Sequence, residues 1–535
     1  MDFENRKDGK IALILLIIVY SMVVIRNAWV SDDAYITFRT IENFLRGYGL
    51  TYNIGERVQT FTHPLWMFLI SAVYFLVNRV LGIGVWAELY YLVTLISILI
   101  SIATVCVLAF GISRTVLSAI LGITILTLSK AFVDYSTSGL ENPLSHLLLV
   151  IFIFIYFRTS EINPRKMFLL SLLAALGTLN RPDTFLLYLP VLVYAFWRAR
   201  DKARSALGVL LGFLPLIAWE GFSLIYYGFL SPNTAFAKLD TGIALGMLAQ
   251  QGFYYYLNSI SLDPLTLLSI LFVIVLTFTL KEWRFLPFIL GLFLYMLYVI
   301  RIGGDFMSGR YFAAPLLVAV ALLTMYRFSD LKAFGLVYLV VLLVGFSSPR
   351  PPALVTANIA EFFKGSNTPA GIIDENGISD ERLFYHDRMA LLKANSDQPF
   401  PGSSFAGKKW KKSANNPSVE QTGPLGVFGY VSGPNVHVID LNGLADPLMA
   451  RLPVIDPKHW RIGHFRHIIP DGYIDSLSSG QNKITDENLA RYYDKLSLIT
   501  KGRIFDPQRL LTIIRMNLGQ YNSLIKSYLR ARNPA

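Results

Sequence analysis

Twelve apolar runs follow one another before residue 347, and they leave this chain few ways to fold. They cover roughly 11–30, 64–81, 88–110, 115–130, 141–157, 167–180, 183–197, 205–228, 264–280, 285–301, 310–327 and 331–346. About 20 helical residues cross the hydrocarbon core of a bilayer. In lipid only helices and closed barrels satisfy their own backbone, so runs of this length in series predict a membrane helix bundle. Composition agrees, because 54% of the 535 residues are hydrophobic and only 16% are charged. Soluble domains are about a quarter charged. The first run follows a tail containing Arg6, Lys7 and Lys10. No small-x-small cleavage pattern ends it, so it reads as a retained anchor.

The net charge of +12 would suit nucleic acid if the cations formed one patch. Instead they cluster in short loops between apolar runs: Arg158 with Arg165 and Lys166, Arg198 to Arg204, Lys281 with Arg284, and Arg327 with Lys332. That is the positive-inside pattern of a cytoplasmic face, and it argues against a nucleic-acid partner. It places the N-terminus inside and the segment after the last run outside, which requires an odd number of crossings. Twelve is even, and the basic loops alternate correctly back to Arg114, so the miscount lies within 64–114. The expected number is eleven or thirteen. A single Cys106 leaves no intrachain disulfide to hold the fold, and no permitted Asn-x-Ser/Thr site is present, which favours a bacterial source.

Five polar segments then fall on the outer face. They are Ser31-Asp32-Asp33, Ser138 to Pro143, Asn180 to Asp183, Ser231 to Lys238, and Gly303 to Phe306. Irregular backbone at membrane depth is tolerated where it lines a cavity, so these segments are expected to enclose one site. Adjacent carboxylates at a membrane edge are costly and call for a role. Partial desolvation makes Asp32 and Asp33 suited to take a proton from a hydroxyl. The alternative is capping, with Ser31 or Asp32 at the start of an amphipathic surface helix carrying Ala34, Phe38, Ile41 and Leu45 on one stripe. Both roles can coexist, and a capping Asp32 would leave Asp33 to face the cavity.

For an anionic lipid phosphate the outer-face cations are Arg57, Arg181, Lys238, Arg301 and Arg310. Arginine presents a fork of donors and lysine a point charge. Arg181 and Arg310 each sit at a run end beside an acid, Asp183 and Asp305, so a local ion pair is the competing explanation. His63, Glu141 and Asn142 stand at similar run ends. No Cys/His spacing marks a structural metal. Asp33 with Asp305 is the pair that would hold Mg²⁺ or Mn²⁺. Walker, dinucleotide and nucleophile-elbow motifs are absent, which leaves direct nucleotide use unsupported. Trp29, Tyr35, Tyr48, Tyr52, Trp66, Trp219, Tyr226 and Tyr227 gather near run ends and read first as an interfacial belt.

After Phe346 the composition changes. Residues 1–346 form the membrane module, 347–352 (Ser-Ser-Pro-Arg-Pro-Pro) a linker, and 353–535 a soluble domain with no run long enough to span. Val427–Val431 and Val436–Leu441 read as strands between Gly-Pro turns, and helical patterns occupy 486–499 and 507–531. The fold class is therefore mostly α, a polytopic helix bundle with a C-terminal soluble α+β domain on the outer side. Lys408-Lys409-Trp410-Lys411-Lys412 is a basic loop within it.

The segment from Asp32-Asp33-Ala34-Tyr35 through Gly47-Tyr48-Gly49-Leu50, Asn53 to Val58 and Phe61-Thr62-His63-Pro64-Leu65-Trp66 closely resembles the mycobacterial terminal arabinofuranosyltransferase family. That family belongs to the GT-C superfamily. Gly139 to Asn142, Asn180 to Asp183, Ser231 to Thr234, Gly303 to Phe306 with Arg310, and Leu444 to Pro447 extend the likeness over nearly the whole chain. The resemblance implies a GT-C fold in the bacterial inner membrane. It also implies an inverting transfer on the periplasmic face from a polyprenyl-phosphate sugar to a cell-envelope glycan, glycolipid or protein, with Asp32 or Asp33 as base and a soluble domain over the site. Related members in Gram-negative bacteria need not make arabinan, so the sugar does not carry over. The rivals are a lipid-linked-sugar flippase, which would need charges buried inside the apolar runs, and a non-catalytic envelope protein, which would not need the Asp pair.

Overall fold

Helix starts in this chain are written in the sequence before any packing is considered. In the computed structural model, which describes residues 7–82, 88–239, 241–328, 330–354, 372–395, 397–403 and 417–532, twelve helices coincide with the twelve apolar runs. They are α1 (Lys7–Arg26), then, after the surface helix α2 (Asp32–Leu45), α3 (Pro64–Phe75), α4 (Leu89–Cys106) and α5 (Val116–Leu128). The short α6 (Lys130–Asp134) leads to α7 (Asn142–Arg158), α8 (Pro164–Asn180), α9 (Phe185–Arg198) and α10 (Lys202–Tyr226). The short α11 (Asn233–Leu239) precedes α12 (Leu245–Leu262) and α13 (Pro264–Thr279), and α14 (Leu286–Arg301), α15 (Ala313–Leu323) and α16 (Leu331–Ser347) close the apolar part. Prolines occupy the first turn of α3, α7, α8, α13 and α14, where the missing N–H is no loss. Asn163 caps α8 through the Lys166 amide, and Asp263 caps α13 through that of Thr266.

α12 was hidden in the sequence because Gln250, Gln251 and Asn258 dilute its apolar face. It meets α13 at a bend of 106°, which falls at the Asp263 cap. Among the described residues, Asp8–Arg26, Leu89–Ile112, Lys202–Tyr226 and Trp283–Arg301 are long and apolar enough to cross a membrane singly, and the α12–α13 pair could form a bent span. Five further apolar helices are shorter. The chain is a multi-pass membrane protein, mostly helical.

Beyond the apolar part lie α17 (Glu381–Met389), strand β1 (Ser418–Thr422), α18 (Gly426–Ser432), strand β2 (Val436–Asp440), α19 (Tyr473–Ser479), α20 (Glu487–Lys501), α21 (Pro507–Asn517) and α22 (Asn522–Arg532). β1 and β2 pair in parallel, Ser418 opposite Val436 through Thr422 opposite Asp440. Val427–Val431, expected as a strand, lies within helix α18, whose amide end is held by a carboxylate described below. The pattern expected at 507–531 breaks into α21 and α22 at Gly519, whose φ of +74° ends the first helix. The basic loop Lys408–Lys412 lies outside the described residues.

Contacts divide the chain into two compact units, each gathered from three stretches. The first comprises Met1–Ser31, Gly82–Leu216 and Ala244–Pro401; the second comprises Asp32–Leu81, Ile217–Ile243 and Gly402–Ala535. The first unit has an apolar core in which Phe132, Val150, Leu292, Phe312 and Leu316 are fully enclosed. It continues past the Ser347–Pro352 stretch, where Arg350 bonds Asp380 at 2.9 Å and Asn27 Nδ2 donates to the Pro352 carbonyl at 3.1 Å. The second unit has one core around Leu448, Leu489 and Leu496 and another that joins Ile36 and Tyr52 to Val436 and Val438.

Candidate active site

In the second unit α2 is enclosed rather than laid on a surface: Ala34 to Ile41 are all buried. The expected amphipathic surface helix is corrected here, because its polar side is covered by the C-terminal chain. Arg39, which lies away from the apolar stripe, is 2% exposed. Its guanidinium lies over the Tyr52 ring at 4.4 Å and donates to the carbonyls of Tyr52 (2.8 Å), Gly429 (2.8 Å) and Val436 (2.6 Å). The Tyr52 hydroxyl donates to the Leu425 carbonyl at 2.7 Å. Asn53 forms a reciprocal pair with the Val438 backbone, both bonds at 3.0 Å.

The Asp pair opens α2. Asp32 accepts from the Gly426 amide at 2.9 Å and the Val427 amide at 2.8 Å, one on each carboxylate oxygen. It therefore caps a helix, but α18 rather than its own. The Ser31 hydroxyl has no partner among the described residues. Gly426 permits the approach, since a Cβ there would overlap the Asp32 carbonyl oxygen and lie 2.7 Å from its Cγ. Burial pushes the Asp32 carboxyl up to about 6; the Val427 amide opposes this, Asp33 adds to it, and the Gly426 amide opposes it again. Asp440, at the end of β2, is also pushed up to about 6 by burial, against amide bonds from Asn442, Leu444 and Ala445 and with Asp33 adding to the rise. Asp33 thus interacts electrostatically with two carboxyls that already hold backbone amides.

The other predicted residues of this unit are placed as follows. His63 Nε2 lies 2.8 Å from Thr37 Oγ1. Arg57 donates to the Tyr226 carbonyl at 3.2 Å and to the Gly502 carbonyl. Lys238, in α11, makes no ion pair among the described residues. Asn233, at the start of α11, donates to the carbonyls of Gly443, Leu444 and Asp446.

In the first unit three of the five polar segments come together. Glu141 is 1% exposed. Its Oε1 accepts from Arg181 Nη1 at 2.8 Å and Arg310 Nη2 at 3.1 Å. Arg181 Nε contacts both Asp183 oxygens at 2.9 and 3.0 Å, and its guanidinium stacks over Tyr311 at 4.6 Å. Tyr295 donates to Asp183 at 2.8 Å, and Arg310 reaches Asp305 at 3.4 Å. The local Arg–Asp pairs therefore exist, and Glu141 joins them into one network of two cations and three carboxylates. Asn180 Nδ2 supports it by donating to the Glu141 carbonyl and to Ser145, both at 2.8 Å. Around this network Asn142 Oδ1, Asn180 Oδ1, Arg310 Nε and both ring nitrogens of His146 are buried with no partner among the described residues. His146, stacked on Phe132 at 4.8 Å, was missed in the sequence because it lies inside an apolar run. Arg301, at the end of α14, is exposed.

A second buried network was also missed. Lys130 pairs with Asp134 and with Asp380 at 3.0 Å, Arg350 with Asp380 at 2.9 Å, and Arg382 with Asp134 at 2.7 Å. Its bonded pairs are up to 250 residues apart in sequence. The expected aromatic belt is corrected for five of its eight members. Trp29, Tyr35, Tyr52, Trp66 and Tyr227 are buried, with Trp29 Nε1 donating to the Asp134 carbonyl and the Tyr227 hydroxyl to that of Leu50. Among the described residues no three His, Cys, Asp or Glu side chains group as a metal site. Asp305 instead faces Arg310 and the Phe306 amide.

The first unit of this multi-pass helical protein thus holds two buried cation–carboxylate networks at its helix ends. Residues 10–228 match the Alg9-like mannosyltransferase family. The chain is 29% identical to a terminal beta-(1→2)-arabinofuranosyltransferase of Mycobacterium tuberculosis, over 83% of this chain and 82% of the relative. It is 25% identical to the Corynebacterium glutamicum protein of that name, over 82% of this chain and 72% of the relative. The chain is a membrane glycosyltransferase, homologous to these terminal arabinofuranosyltransferases.

Proposed function

We propose that this enzyme transfers an arabinofuranosyl-type sugar from a polyprenyl phosphate to a cell-envelope glycan on the periplasmic face of a bacterial inner membrane. The observation that carries the reading is the likeness to the two named arabinofuranosyltransferases over more than four-fifths of the chain. Asp33 is the base. Its neighbour Asp32 already accepts two backbone amides, so the capping and proton-accepting roles divide between them. The acceptor oxygen attacks the anomeric carbon as its proton passes to the Asp33 carboxylate. The bond from that carbon to the phosphate oxygen breaks, and polyprenyl phosphate leaves with the electron pair. A single displacement inverts the anomeric carbon.

Arg181 and Arg310, the latter with an Nε that has no partner among the described residues, hold the phosphate through their N–H donors, with Lys238 as a further cation and His63, Arg57 and Asp305 supporting their surroundings. Partnerless polar atoms beside Glu141 and Asn142 favour a polar guest there, since buried donors and acceptors are otherwise satisfied. The membrane module is residues 1–346 with eleven or thirteen crossings, 347–352 a linker, and 353–535 the periplasmic domain that holds the acceptor. Purified enzyme supplied with radiolabelled polyprenyl-phosphate pentofuranose and an arabinan acceptor should release labelled glycan, with the anomeric configuration read by NMR. No transfer from any polyprenyl-phosphate sugar, together with translocation of the lipid in liposomes, would overturn the proposal.

A further inference from the structure

The helix α21 divides into three sectors. Arg509, Thr512, Ile513 and Met516 face inward and are buried. Gln508 and Arg515 form an exposed polar edge. Between them Leu511 (47% exposed), Ile514 (56%) and, just past the helix, Leu518 (70%) form an apolar stripe at helical spacing, and Phe505 (77%) precedes it. A helix that packed only on its own domain would need no third sector. Four large apolar side chains open to one side mark a contact surface.

What covers the surface follows from where α21 is fastened. Arg509 donates to the carbonyls of Ile225 and Tyr226, each at 2.8 Å, which end α10. Asn517 Nδ2 donates to the Gly228 carbonyl at 2.8 Å, two residues beyond that end. α10 is a 25-residue apolar helix whose most apolar window is only 17% buried by protein, so lipid must cover the rest. It still exposes Phe222 and Ile225 in its last turns. α21 is thus joined to the terminus of a lipid-facing helix, where hydrocarbon gives way to headgroups. Residues 501–532 carry seven basic side chains (Lys501, Arg503, Arg509, Arg515, Lys526, Arg530 and Arg532) against one acid, Asp506. An apolar stripe flanked by cations is the pattern of a helix lying in the plane of an anionic membrane surface.

We propose that α21, with Phe505 and Leu518, is seated in the bilayer surface, its stripe among phospholipid acyl chains and Arg503 and Arg515 on lipid phosphates. The C-terminal segment then holds the membrane at its own helix, independently of the spans. The single Cys106 makes the test direct. In a Cys106→Ala background, single cysteines at Leu511, Ile514, Leu518, Gln508 and Leu214 carry the polarity-sensitive NBD label. The full chain is placed in nanodiscs of phosphatidylglycerol and phosphatidylcholine, with or without bromine on the acyl chains. Labels at 514 and 518 should emit to the blue and lose at least half their intensity to bromolipid, as the lipid-facing control at 214 does, while 508 stays water-like. Water-like emission at 514 and 518 would overturn the proposal. So would blue emission that bromolipid leaves unchanged, which is the signature of a protein partner such as a second copy. A label-free measurement adds a second arm: Ile514→Glu with Leu518→Glu should leave thermal unfolding in detergent unchanged, because both side chains are exposed. It should also speed amide exchange of 507–518 at least fivefold in nanodiscs, and equal exchange in the two proteins would count against membrane seating.

Discussion

Two neighbouring aspartates with different attachments should fail in different ways when each loses its charge. In Asp32→Asn the amide keeps one acceptor oxygen but turns an NH₂ group toward the other backbone N–H, so one of the bonds to Gly426 and Val427 is lost. Burial already favours the uncharged form of this carboxyl, so the cost is that of one buried amide left without its acceptor, about 1–3 kcal/mol in the stability of the second unit. Asp33→Asn touches neither bond. Removal of a general base typically costs about 10²–10⁴ in rate, so turnover of this variant should fall by about that factor while both Asp32 bonds stay in place. Intrinsic-fluorescence melting in detergent and radiolabel transfer from polyprenyl-phosphate sugar read the two effects on the same preparations. Wild-type turnover in Asp33→Asn would refute the division of roles. So would an Asp32→Asn enzyme that melts normally yet is inactive.

Arg39→Met keeps the length of the side chain but removes the donor to the Gly429 and Val436 carbonyls, while that of Tyr52 keeps Asn43. At about 1–3 kcal/mol per unsatisfied group it should destabilise by at least about 2 kcal/mol, visible as early protease cleavage after Arg46; a loss under about 1 kcal/mol would mean that water replaces it. Glu141→Gln removes the charge shared by Arg181 and Arg310, but each arginine keeps its aspartate, so it should cost about 1–3 kcal/mol, the range for weakening buried hydrogen bonds, with the melting curve as the measurement. The pH dependence has a definite sign. Asp32 and Asp440 are raised to about 6 and Asp446 to about 7, so the folded chain holds their protons more tightly than the unfolded one. Their contribution to stability is complete below about pH 4, the unfolded carboxyl range, and is lost as pH rises through 6 to 7. Melting temperature should accordingly rise between pH 7.5 and 5.5, and Asp446→Asn should flatten the upper part of that slope.

Apolar periodicity was enough to find helices at all twelve runs, because a membrane helix needs little beyond length and apolarity. It missed α12, whose glutamines interrupt the apolar run, and mistook α18 for a strand, because seven residues containing Val427 and Val431 alternate as a strand would. Glu141, Arg181 and Arg310 were found from charge at run ends, and they meet in one network. His146, Lys130 and Asp380 were missed because their meaning lies in partners distant in sequence or in the lack of any partner. Arg39 lies off the apolar stripe of α2, a position that suits water, and it is the C-terminal chain that covers it.

That covering chain arrives late. The Arg39 guanidinium and the Gly429 carbonyl it binds are 390 residues apart. At translation rates of about 5–20 residues per second, the first outer segment waits roughly 20–80 s for its partners. During that interval the buried arginine, Tyr52, Asn53 and the Asp pair all stand in solvent, and β1, β2 and α18 do not yet exist. The second unit is therefore completed only after the intervening helices have been inserted. Its assembly is a closing step in biogenesis, and a ribosome that stalls before Gly426 leaves behind an inserted bundle whose aspartate pair has never been set.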